Sequence, residues 1–295
     1  MRSILSILSL LFVLLAGMSA QAGPLEDGLD AYRLGEWDKA FAVLQPLAQA
    51  GNPAAQEKIG RLYQRGKGVE RDYALAAQWY RRAADQGESQ AQTRLAMMLR
   101  YGIGPRHDYA EAMKWYRAGA ALGNKLAQVG LGYMLMEGVG VPVDYKAAAE
   151  WFEKAAAQGD ASAMMALGTL CEEGRGVAKD LVQAWVWYSR ASVDDGEYDD
   201  ALFARAETSR DAIAQRLSPA ELAEAKRRAA EQFSDLPIVQ SDQSVRINNH
   251  HTDLHVLDDQ LVDPQLVCQV LPALPCHALV HDHSLGKLVG YQRSG

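Results

Sequence analysis

Gly66-Lys67-Gly68-Val69-Glu70-Arg71-Asp72-Tyr73-Ala74-Leu75-Ala76-Ala77-Gln78-Trp79-Tyr80-Arg81-Arg82-Ala83-Ala84-Asp85-Gln86-Gly87 is the stretch from which the fold can be read. Thirty-six residues further on, Gly102, Gly104, Asp108, Ala112, Trp115, Tyr116 and Gly123 stand in the same order. The series continues with Gly138, Gly140, Asp144, Ala148, Trp151, Phe152 and Gly159, and then with Gly174, Gly176, Asp180, Ala184, Trp187 and Tyr188. A fixed period of this length marks stacked units, each burying its apolar face only against its neighbours.

Each repeated position has a mechanical reason. Upstream of the glycine pairs lie Ile59, Leu62 and Tyr63; Leu95, Met98 and Leu99; Leu131, Met134 and Leu135; and Leu167, Leu170 and Cys171. Steps of three and four put these side chains on one helical face. Cys171 therefore reads as a buried apolar residue and not as a nucleophile. Gly60, Ala96, Gly132 and Gly168 are always small, which suits the close approach of a second helix. The first glycine of each pair then stops the helix, because glycine accepts the left-handed conformation of a helix end. The repeated Asp starts the second helix by accepting a bond from an otherwise unused backbone N–H. Along that helix the aromatics Tyr80, Tyr116, Phe152 and Tyr188 share a stripe with the small residues Ala83, Gly119, Ala155 and Ala191, as interdigitating helices require. Asn52, Asn124 and Asp160 open the next first helices, with Glu88 a poorer cap.

The order Gly-x-Gly-Val-x-x-Asp, Ala, Trp-Tyr/Phe-x-x-Ala-Ala, Gly resembles the Sel1-like repeat, a relative of the tetratricopeptide repeat. Gly66-Lys67-Gly68-Val69 with Asp72, Gly138-Val139-Gly140-Val141 and Gly174-Arg175-Gly176-Val177 carry the pattern, while the second copy departs from it with Pro105 in place of Val. The resemblance implies an all-α, right-handed α/α solenoid of helix pairs. Four 36-residue copies are expected over 52–195, a capping helix pair over 23–51 and capping helices over 196–233. Ser218-Pro219-Ala220-Glu221 is a capping box with Pro at the first helical position, opening a last helix that runs to about Phe233.

The ends read differently. Residues 1–22 combine Arg2, an apolar run from Ile4 to Leu15 and Ala20-Gln21-Ala22, the layout of a secretory signal. An exported protein, periplasmic or secreted, with no membrane span in its mature form is expected. From 234 to 295 the period stops, and six of the seven His and two of the three Cys gather there. A poorly ordered extension, a shifted reading frame, a metal or disulfide site and a short strand near Leu266 all fit this composition. Cys268, Cys276, His277, His281 and His283 are the candidate ligands, but their spacing matches no standard zinc site, so no metal and no cofactor is expected.

Chemistry is scarce elsewhere. Lys and Arg number 30 against 37 Asp and Glu, a net charge of −7 that argues against a general nucleic-acid binder. The repeats hold a single His, His107, on a loop, and there is no nucleophile elbow, zinc-protease or phosphate-loop motif. The acidic turn Asp194 to Asp200 does not match a calcium loop. Some cysteine-rich relatives within the Sel1-like family are linked to β-lactams, but the paired cysteines they carry are missing here.

What remains is a surface. In tetratricopeptide-like solenoids the first helices line the concave side. Their non-core positions here are Glu57, Lys58, Arg61, Gln64 and Arg65, then Thr93, Arg94, Met97, Arg100 and Tyr101, then Val129, Tyr133, Met136 and Glu137, then Met165, Thr169, Glu172 and Glu173. The expectation is a groove running from basic through apolar to acidic, binding a protein or peptide with an acidic segment and having no catalytic residue. The alternative is a cell-envelope protein bound to glycan or peptidoglycan, or a hydrolase acting on them.

Overall fold

The computed structural model describes residues 23–193 and 200–232. The leader 1–22, most of the acidic turn and the tail with Cys268, Cys276, His277, His281 and His283 lie outside the described residues. Within them the chain forms twelve helices and no strand. They are α1 Pro24–Arg33, α2 Trp37–Gln49, α3 Pro53–Arg65, α4 Tyr73–Ala84, α5 Ser89–Tyr101, α6 Tyr109–Ala121, α7 Lys125–Glu137, α8 Tyr145–Ala156, α9 Ala161–Glu173, α10 Leu181–Ala191, α11 Asp200–Ala214 and α12 Pro219–Gln232. Consecutive helices pack as hairpins, each hairpin stacks on the next, and α11 and α12 close against α10.

The boundaries follow from the repeated polar residues. The side chains of Asn52, Asp72, Asp108, Asn124, Asp144, Asp160 and Asp180 each accept the backbone N–H three residues on. Glu88 reaches only the N–H of Gln90, at 3.3 Å, because its longer arm overshoots the usual capping geometry. Ser218 and Glu221 form the reciprocal box: Ser218 N donates to Glu221 Oε2 at 2.8 Å, and Glu221 N donates to Ser218 Oγ at 3.3 Å.

Two glycines per copy do different work. Gly66, Gly102, Gly138 and Gly174 end α3, α5, α7 and α9 in the left-handed region, with φ between 64° and 72°. The second glycine is also left-handed and lies against the start of the preceding copy's second helix. A Cβ on Gly104 would sit 2.6 Å from the Tyr73 carbonyl oxygen, and one on Gly140 would sit 2.5 Å from the Tyr109 Cβ. The loop is thus both a helix stop and an interlock between copies.

The core is built from the second aromatic of each pair. Tyr80, Tyr116, Phe152 and Tyr188 are almost wholly buried. Tyr80, Phe152 and Tyr188 lie on Gly60, Gly132 and Gly168, where a Cβ would come within 2.5–2.7 Å of the ring. In the second copy the small position is Ala96, and Tyr116 instead presses on Gly130 of the following copy. One added methyl at Ala96 is accompanied by one removed side chain at Gly130, as close packing demands.

A row of buried amides ties the hairpins together. Gln56, Gln92 and Gln128 donate from Nε2 to the carbonyl oxygens of Ala48, Ala84 and Ala120 on the preceding second helix. Gln86 and Gln158 in turn donate to Gln56 Oε1 and Gln128 Oε1, each at 2.8 Å. The equivalent residue in the second copy is Leu122, 61% exposed, and the buried Gln92 Oε1 has no hydrogen-bond partner among the described residues.

Candidate functional site

The first helices α3, α5, α7 and α9 present their non-core sides as one wall. Its middle is apolar: Met97 and Tyr101 on α5 and Tyr133 and Met136 on α7 are all half-buried. Tyr133 stacks edge-on against Phe152 at 5.1 Å, and its hydroxyl donates to the Ser162 carbonyl at 3.4 Å. Burial pushes the Tyr133 phenol up to about 12, so it is a neutral hydrogen-bonding group at any physiological pH. The wall is braced from behind by the core aromatics. Tyr80 donates to Gln64 at 2.6 Å, and Tyr188 donates to Glu172 at 3.0 Å. Burial raises the Tyr116 phenol, and the charge of the nearby Arg100 guanidinium opposes that rise. In the third copy neither Met136 nor Phe152 carries a polar end, so the pair stays matched.

The charged positions behave differently from a free gradient. Glu57 is 2% exposed and lies among Lys58 (Nζ to Oε2, 2.9 Å), Arg94 (Nε to Oε1, 3.2 Å) and Arg61 (Nε to Oε1, 3.9 Å). Burial disfavours its ionised form, yet the charges of Lys58, Arg94 and Arg61 outweigh burial and hold the carboxyl below its ordinary range. Lys58 and Arg61 also lie over the ring of Tyr32. Arg100, itself buried, donates to Glu137 at 2.6 Å across the next copy. Glu172 is held by Arg216, and Glu173 by Arg175. Arg65 is half-buried at the end of α3.

The expected gradient from basic to acidic is therefore largely neutralised within the wall. The physical reason is the stacking step. A residue on one first helix faces the residue 37 positions later on the next, so Glu57 meets Arg94 and Arg100 meets Glu137. The sequence places Glu57 and Glu137 on the same face as Arg61, Arg65, Arg94 and Arg100, but their positions along one helix do not show which of them meet across two. The signal was the offset of one repeat plus one residue between opposite charges.

Cys171 and His107 both serve the packing of the repeats. Cys171 is 7% exposed, and burial raises its thiol to about 11, which leaves almost no thiolate at neutral pH. His107 sits on its loop with Nδ1 2.9 Å from the carbonyl oxygen of Arg100, in the last turn of α5. Among the described residues no cluster of three or more His, Cys, Asp or Glu side chains has metal-holding geometry. No described helix is long and apolar enough to cross a membrane.

The model of the Sel1 repeat matches residues 53–88, 89–124, 125–160 and 161–192. The solved structure of a Sel1 repeat protein from Oxalobacter formigenes is 30% identical, with a TM-score of 0.60 over 72% of this chain and 84% of that one. The chain belongs to the Sel1 repeat family. A second solved structure, c5321, a protective antigen present in uropathogenic Escherichia coli strains displaying an SLR fold, is 33% identical with a TM-score of 0.60. That match covers 75% of this chain and 48% of the antigen, so the chain spans about half of that relative's length. No curated protein matches the chain. A Sel1 repeat solenoid suggests a protein–protein interaction scaffold.

Proposed function

We propose that this Sel1 repeat protein is a non-enzymatic adaptor of the cell envelope that holds a polypeptide segment on the wall of its first helices. The observation that supports the reading is the half-buried apolar row Met97, Tyr101, Tyr133 and Met136, set on helices whose charges are mostly paired with each other. Aromatic and methionine side chains supply most of the contact energy at such faces, because they bury much area for little lost freedom. Arg65 and Arg94, both half-buried, lie at the N-terminal side of the row and favour a partner with an acidic segment, whereas Arg61 and Arg100 are buried against Glu57 and Glu137. Residues 1–22 would carry the chain to the envelope.

A photo-crosslinking amino acid at position 101, compared with one at exposed Glu150 on α8, tests the assignment. Adducts in living cells are expected from position 101 and not from 150. An identical adduct pattern from both positions would discard the wall. Export is checked by fractionating cells that make the chain with and without residues 1–22, the shortened form being expected in the cytoplasm.

A further inference from the structure

We infer that the N-terminal end of the wall is a carboxylate subsite, with Arg94 and Lys58 as the groups that receive the anion. This rests on reading the wall as a binding face and adds what a bound polypeptide must carry there. Arg94 is 82% covered, and its contact with Glu57 uses Nε alone. The two terminal nitrogens of its guanidinium have no hydrogen-bond partner among the described residues, yet they are not sealed from solvent. A guanidinium has five N–H donors in a flat fork whose geometry matches the two oxygens of a carboxylate. Lys58, one-quarter exposed, gives Glu57 one contact and keeps further ammonium donors.

The buried carboxylate fixes these groups in place. Glu57 accepts Lys58 on one oxygen and Arg94 on the other, so both cations are held in position before a ligand arrives. Two cations against one carboxylate leave a local positive charge where water is partly excluded and attraction to an anion is stronger than in bulk solvent. Arg61, 5.5 Å from the centre of the Tyr32 ring, lines the same corner. Met97 stands one helical turn beyond Arg94 on the same face of α5, so an acidic residue at the fork places the next apolar residue of a peptide over Met97 and Tyr101. The ligand class is therefore an acidic side chain within an apolar polypeptide segment.

The test uses the full chain and two fluorescein-labelled probe peptides, Leu-Asp-Asp-Leu-Val and Leu-Asn-Asn-Leu-Val, both blocked at their ends and followed by anisotropy. The Asp peptide should bind roughly tenfold or more tightly than its Asn counterpart, as expected for a charge-assisted bidentate contact, and the difference should shrink with salt. Arg94→Lys keeps the charge beside Glu57 but removes the fork, so it should bring the Asp peptide down toward the Asn peptide without lowering the melting temperature appreciably. Equal binding of the two peptides overturns the subsite while leaving the apolar wall standing. Tyr101→Ser separates the two ideas: it should weaken both peptides alike, and no effect on either would count against the wall itself. Failure of both peptides to bind overturns the subsite, as does inorganic phosphate displacing the Asp peptide at a concentration where acetate does not.

Discussion

Gln92 shows what a single residue costs when its partner is changed. Gln56 and Gln128 have both ends of their amides satisfied, whereas Gln92 donates to Ala84 but leaves a buried oxygen unpaired among the described residues, in the copy where Leu122 holds the position of Gln86 and Gln158. A buried acceptor without a donor is expensive, about 1–3 kcal/mol, and replacing it with a hydrogen bond recovers part of that. Leu122→Gln should therefore stabilise the protein by about 1 kcal/mol in urea denaturation. In a Gln92→Leu background the same substitution should gain nothing, and an equal gain in both backgrounds would refute the pairing. The small residues under the aromatics follow the same logic. Gly132→Ala places a Cβ 2.6 Å from Phe152 and should cost about 1–3 kcal/mol by overpacking. Ala96→Gly should cost less, because Tyr116 already has its space at Gly130.

At the scale of helices, most of the fold was legible. The glycine stops, the Asp and Asn starts and the Ser218–Glu221 box could all be placed from residue type alone, because each acts on backbone groups a few residues away. The pairing of Gln86 with Gln56 and of Arg94 with Glu57 is not legible in residue type alone. Those contacts join different helices, and the sequence shows them only to someone who already knows which helices face each other. The candidate wall was legible as a set of positions but not as an electrostatic surface, for the same reason. Asp180 joins the two kinds of contact. It caps α10 through the Gln183 N–H at 2.9 Å and meets Arg228 of α12 at 3.3 Å. Both side chains of that ion pair are 39% exposed, so the pair itself contributes little. Asp180→Asn keeps the cap and should change stability by less than about 0.5 kcal/mol, while Asp180→Ala should lose about 1 kcal/mol. Thermal melts of the two variants side by side check the order.

Across the whole stack, stability is a sum of hairpins and of the interfaces between neighbours, so a buried charge at one junction is felt by every copy that leans on it. Glu57 is such a charge, joining α3 to α5 through Arg94. Its carboxyl is held below the ordinary value of 4.5, so its contribution is fully present above that value and is lost as pH falls through the lower folded value. Glu57→Gln leaves Lys58, Arg61 and Arg94 around a neutral amide. At neutral pH it should cost about 3 kcal/mol or more, as expected when one partner of a buried ion pair is removed. In acid the wild-type carboxyl takes up its proton and the advantage vanishes, so the two stability curves should converge as the pH drops below 4.5. Urea titrations of both proteins across that range measure the gap directly. A constant gap at every pH would mean that the shape of the Glu57 side chain, and not its charge, holds the first two copies together.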